Sequence, residues 1–81
     1  APGVSVKAPL VGTVYLQPKP GAPAFVKVGD RVEEGDVVCV IEAMKMMTEI
    51  KSDHAGIVSA INVKDGELVE VEQPLITLKE D

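Results

Sequence analysis

The sequence predicts an all-β fold, a pseudo-twofold sandwich of two related sheets, and three observations predict it. Aromatic residues are nearly absent, with only Tyr15 and Phe25, so the core has to come from Val, Ile and Leu. The β-branched members of that set favour pleated, half-buried surfaces. The second observation is an internal repeat. Val26-Lys27-Val28-Gly29-Asp30-Arg31-Val32-Glu33 matches Val63-Lys64-Asp65-Gly66-Glu67-Leu68-Val69-Glu70 at an offset of 37, with five of eight positions identical. Two halves of about forty residues cannot each bury a core, so they must pack on one another as related sheets, one from each half. The third is that Gly29 and Gly66 stand at corresponding places after valine-bearing runs, where a turn needs positive φ or a bulge.

The repeat justifies the strands pairwise. Val6-Lys7 meets Ile50-Lys51 at an offset of 44, supporting strands at about 4–8 and 47–51. At the same offset Gly12-Thr13-Val14 meets Gly56-Ile57-Val58, supporting 11–16 and 57–62. The longest match supports 25–28 and 68–71, and Val38-Cys39-Val40-Ile41 on Leu75-Ile76-Thr77-Leu78 supports 37–42 and 75–79. Helix propensity favours Glu42-Ala43-Met44-Lys45-Met46-Met47. The run is too short for a helix, and both flanks match strands of the other half, so it is assigned to a tight turn. The change of offset, from 44 to 37, gives the first half about seven extra residues. They fall in Leu16-Gln17-Pro18-Lys19-Pro20-Gly21-Ala22-Pro23-Ala24-Phe25, which holds half of the six prolines and so predicts a stiff protruding loop rather than a ladder strand.

Size and charge narrow the function. Eighty-one residues allow one domain with a small core. Residues 1–3 read as residual linker and 4–81 as the domain, expected to be monomeric in isolation. The net charge of −5 argues against nucleic acid and anionic lipid as partners, and no apolar run approaches a membrane span. The single cysteine, Cys39, lies in an apolar run, which predicts a buried thiol and suits a reducing cytoplasm. One histidine, His54, sits among turn formers and predicts a solvated surface residue; with one cysteine it makes no metal site. The glycines are single and separated, so no phosphate loop is present.

Lys45 is the residue this arrangement presents, near the midpoint of the two halves, between Met44 and Met46. A lysine amine is almost wholly protonated at neutral pH. No second lysine lies within five residues of Lys45, and no acid is placed to prepare it for covalent catalysis. The expectation is a tethering site acylated by another enzyme, placed on the edge opposite the chain ends.

Glu42-Ala43-Met44-Lys45-Met46 resembles the attachment motif of biotinyl domains, the biotin carboxyl carrier family, and the resemblance covers about residues 8 to 79. It implies a flattened sandwich or barrel of two four-stranded antiparallel sheets, of the biotinyl/lipoyl kind, with the biotin lysine on a hairpin turn. It also implies biotin in amide linkage to Lys45, with Glu42, Ala43, Met44 and Met46 recognised by biotin protein ligase and partner enzymes. Biotin carboxylase would load a carboxyl group and carboxyltransferase would unload it, the domain itself being non-catalytic. The insertion at 15–26, with Leu16, Gln17, Pro18, Lys19, Pro20, Gly21, Ala22 and Pro23, resembles the thumb of carrier domains from multisubunit acetyl-CoA carboxylases. This implies a role in the first step of fatty acid synthesis, in the cytoplasm or in a plastid. Gln17 stands where the thumb pattern has threonine, two places after the tyrosine. Three alternatives stay open: the biotinyl domain of another carboxylase, a lipoyl carrier domain, and a cofactor-free interaction module. Lipoyl domains place acidic and small residues, not methionines, beside their lysine.

Overall fold

The computed structural model describes residues 3–80. Eight strands are present: β1 Val4–Lys7, β2 Gly12–Tyr15, β3 Arg31–Val32, β4 Val37–Ala43, β5 Met46–Lys51, β6 Gly56–Ile61, β7 Leu68–Val69 and β8 Pro74–Lys79. They form two four-stranded sheets, one ordered β1-β8-β6-β3 and the other β5-β4-β2-β7, with every pairing antiparallel. Adding four to each strand number of the first half turns one sheet order into the other, which is the pseudo-twofold predicted by the repeat. Buried residues of both sheets supply an aliphatic core that includes Val14, Val32, Ile41, Val58, Val69, Leu75, Ile76 and Leu78. Cys39 is fully buried within it. Among the described residues no helix is long and apolar enough to cross a membrane, and no group of three His, Cys, Asp or Glu is placed to hold a metal.

Two expectations need correction. The halves do not form one sheet each, because every sheet takes two strands from each half. The reason is visible in the backbone. The turn of the first half bonds to β6, with Gly29 N–H donating to Val58 O at 2.8 Å and Val58 N–H to Asp30 O at 2.8 Å. The turn of the second half bonds to β2 in the same way, Gly66 N–H to Val14 O at 2.7 Å and Val14 N–H to Glu67 O at 2.9 Å. Each half thus satisfies backbone groups of the other, and neither is complete alone.

The strand expected at 25–28 is also absent. Its amides are engaged in closing loops: Phe25 N–H donates to Leu16 O at 2.9 Å, and Lys27 N–H to Asp30 Oδ2 at 3.0 Å. Gly29 then turns the chain at φ 98°. The strand comes three residues later, at Arg31–Val32, where the repeat places Leu68–Val69. The matched run carries a turn followed by a strand in both halves.

Of the linker expected at 1–3, Ala1 and Pro2 lie outside the described residues, as does Asp81 at the end of the expected domain. Gly3 already lies along β8, where a Cβ would stand 2.7 Å from Leu78 O. The His54 side chain is 42% exposed, as expected of a surface residue, while its backbone is held by the Ser52 hydroxyl, which donates to His54 O at 2.5 Å and accepts from His54 N–H at 3.2 Å.

Candidate functional site

The β4–β5 hairpin pairs Glu42 with Met47 and Ala43 with Met46, leaving Met44 and Lys45 as a two-residue turn. Both turn residues have positive φ, 52° for Met44 and 66° for Lys45. Two central residues with φ above zero match the twist of the flanking strands, a position where Asn-Gly is the usual choice. A side chain in the left-handed region costs about 1–2 kcal/mol, and such strain collects where function outweighs stability.

The strained turn exposes its side chains. Met44 is 93% exposed and Met46 70%, while Lys45 and Glu42 are exposed and Ala43 is half-buried. Among the described residues no hydrogen bond or ion pair holds the Lys45 amine. By the pseudo-twofold, this hairpin occupies the place of the paired chain ends in the other sheet, where Val4 lies opposite Leu78.

The insertion between Tyr15 and Val26 stands over the same sheet. Its base is pinned at two places, by Phe25 N–H to Leu16 O and by Leu16 N–H donating to Asp65 Oδ1 at 2.8 Å. At its tip Ala22 N–H donates to Lys19 O at 3.1 Å, and Gly21 adopts φ 82°. Between this loop and the hairpin lies an open cleft of about 400 Å³, lined by Tyr15, Gln17, Pro18, Lys19, Pro20, Gly21, Glu42, Met47 and Asp65. Glu42 accepts a hydrogen bond from the Tyr15 hydroxyl at 3.3 Å. The Glu42 carboxylate, partial burial, that hydrogen bond and the more distant Asp65 raise the Tyr15 pKa above its ordinary 10.0.

The structure therefore gathers part of the predicted set. Glu42 and the loop residues Gln17 to Gly21 share one cleft, while Met44, Lys45 and Met46 stand at the tip beyond it. Leu16 packs partly against the core, and Leu16, Ala22 and Pro23 do not line the cleft. The Gln17 amide donates to Lys19 O at 3.4 Å, bracing the loop from within. Sequence reasoning passed over Met47 and Asp65. Met47 follows from the hairpin register once the turn is known to have two residues. Asp65 is one of the three positions where the long repeat departs from identity, its counterpart being Val28.

A family model described as biotin-requiring enzyme matches residues 4–78. The chain belongs to that biotin-requiring family. Among its relatives is the biotin carboxyl carrier protein of acetyl-CoA carboxylase from Haemophilus influenzae, 51% identical over 77 residues, covering 95% of this chain and 50% of the relative. The protein of that name from Nostoc sp. is 53% identical over 76 residues, 94% of this chain and 42% of the relative. A chloroplastic counterpart from Arabidopsis thaliana is 49% identical over 75 residues, covering 93% and 27%. The chain thus spans half or less of the length of these relatives. Among solved structures, a Kluyveromyces lactis urea carboxylase superposes with a TM-score of 0.80 at 26% identity, over 98% of this chain and 6% of the other. A single-chain, multi-domain long-chain acyl-CoA carboxylase gives the same TM-score at 24% identity, over 98% and 7%, and is similar in fold.

Proposed function

We propose that this domain is the biotin carrier of an acetyl-CoA carboxylase, a non-catalytic unit with biotin joined by an amide bond to Lys45. The observation that carries the proposal is the presentation of Lys45: an exposed amine without a partner among the described residues, on a strained two-residue turn, flanked by Met44 and Met46. Such a turn lets a ligase active site reach the amine without unfolding the sheet. Flexible thioethers on either side give several enzymes one adaptable apolar surface to grip. The adjoining cleft of about 400 Å³ has the size of a small-molecule site and fits a bicyclic ring tethered nearby.

Bound biotin supplies a ring nitrogen that takes up and releases a carboxyl group. The chain's own residues do the positioning. Lys45 anchors the arm, Met44 and Met46 with Glu42 and Ala43 engage biotin protein ligase, biotin carboxylase and carboxyltransferase, and the loop residues Gln17 to Gly21 wall the cleft. A tether replaces free diffusion between two active sites by a high effective concentration at each. The names of the relatives support acetyl-CoA as acceptor, hence the first step of fatty acid synthesis, in a bacterial cytoplasm or a chloroplast.

The test is to incubate the domain with biotin protein ligase, ATP and biotin and to measure intact mass. One biotinyl increment, absent from Lys45→Arg, is expected. A lipoyl increment under lipoylating conditions instead, or no increment, overturns the proposal. Charging the product with biotin carboxylase and bicarbonate, then offering different acyl-CoA acceptors to the matching carboxyltransferases, tests the acceptor.

A further inference from the structure

The cleft beside the hairpin carries a charge pattern that the proposed function has not used. Glu42 and Asp65 both line it, and Lys19, near the loop tip, is the one cation among the lining residues. Each acid accepts one hydrogen bond from the body of the domain. Glu42 receives the Tyr15 hydroxyl at 3.3 Å and Asp65 receives Leu16 N–H at 2.8 Å, so neither is free to swing out toward solvent without losing a bond. Lys19 is exposed, and its backbone carbonyl accepts from the Gln17 amide and from Ala22 N–H. The remaining surface of the cleft is uncharged, with Pro18, Pro20, Gly21 and Met47 offering flat or apolar contacts. Glu42 lies on β4 one residue before the Ala43–Met46 pair that closes the Met44–Lys45 turn, within reach of a long arm folded back from the amine.

A neutral ureido ring has apolar faces and polar edges that suit such a lining. The same ring with a carboxyl group on nitrogen is an anion at neutral pH. We propose that the cleft sorts the tethered ring by charge, holding it while uncharged and turning it away once it bears a carboxylate. Glu42 and Asp65 supply the repulsion, and Lys19 offsets part of it. The domain then parks its empty arm under the loop and frees the loaded arm for transfer, with no change of fold. This rests on the attachment proposed for Lys45 and deepens it.

The experiment uses three versions of the 81-residue chain made by chemical synthesis. One carries biotin on Lys45, the second carries biotin with a neutral carbamoylmethyl group on the ring nitrogen, and the third the matching anionic carboxymethyl group. Amide chemical shifts of Gln17, Gly21 and Met47 are read against the unmodified domain. The neutral pair should shift these amides while the anion shifts them less, with a docked population about fivefold lower, the scale of one unit-charge repulsion at close range in water. Raising the salt concentration should narrow that gap. In the double variant Glu42→Gln, Asp65→Asn, which keeps both acceptor oxygens and leaves Lys19 in place, the anion should dock at least as well as its neutral partner. Equal shifts for all three versions overturn the inference, because charge is not being read. Loss of docking with the neutral carbamoylmethyl group also overturns it, because size alone then decides. No shift with any version overturns it as well. None of these results bears on whether the ligase modifies Lys45, which intact mass decides separately.

Discussion

Glu72 stands where the other half has Gly35, and the two share a left-handed backbone, φ 69° and 94°. Their amides make equivalent bonds, Glu72 N–H to Ala8 O at 2.7 Å and Gly35 N–H to Ser52 O at 2.8 Å. The fold needs a positive φ at both places, and only one of them has the residue that adopts it freely. Glu72→Gly should therefore stabilise the domain by up to about 1 kcal/mol, the steric relief outweighing the entropy lost by glycine. Gly35→Ala should destabilise it by a similar amount. Urea denaturation of the two variants checks both signs.

The hairpin offers a second test, because its strain is tied to presentation of Lys45. Met44→Asn puts a residue tolerant of positive φ into the turn and removes a thioether exposed to 93%. The urea midpoint should rise by the equivalent of roughly 0.5–1 kcal/mol, while kcat/KM for the ligase should fall. A variant that gains stability with an unchanged ligase rate would show that Met44 has no part in recognition.

Gly12 touches the strand that leads to Lys45. A Cβ there would collide with Glu42 O and stand 2.6 Å from Ile41 Cγ2, so Gly12→Ala must push β2 away from β4. Overpacking of this kind costs about 1–3 kcal/mol. The Tyr15–Glu42 bond lies three residues along β2, so the loss of stability should come with shifted NMR signals from Tyr15 and Met47.

Burial pushes the Cys39 thiol up to about 12 from 9.0. The folded state keeps its proton through a range where the unfolded chain gives it up. The resulting stability term is intact below pH 9.0 and falls progressively between 9.0 and about 12, by about 1.4 kcal/mol per unit where the unfolded thiol is ionised. Cys39→Ala should flatten that part of the stability–pH curve relative to the parent, since the two chains differ at that group alone. At neutral pH the folded thiol should resist alkylation, so its labelling rate should follow global opening.

The amino-acid sequence by itself determined the strand count, the turn at Lys45, the burial of Cys39 and the position of the proline-braced insertion. Each follows from local pattern or from comparing one half with the other, and such comparison needs no knowledge of where strands meet. It even held the answer for the strand misplaced at 25–28, since its own repeat set Arg31–Val32 against Leu68–Val69. Tertiary structure alone decided that the halves interleave, because the bonds from Gly29 to Val58 and from Gly66 to Val14 join residues far apart in the chain. It alone set Glu42 and Asp65 around one cleft with the insertion. Those two acids come from different halves, and the distance between them is fixed by the packing of β2 between β4 and β7.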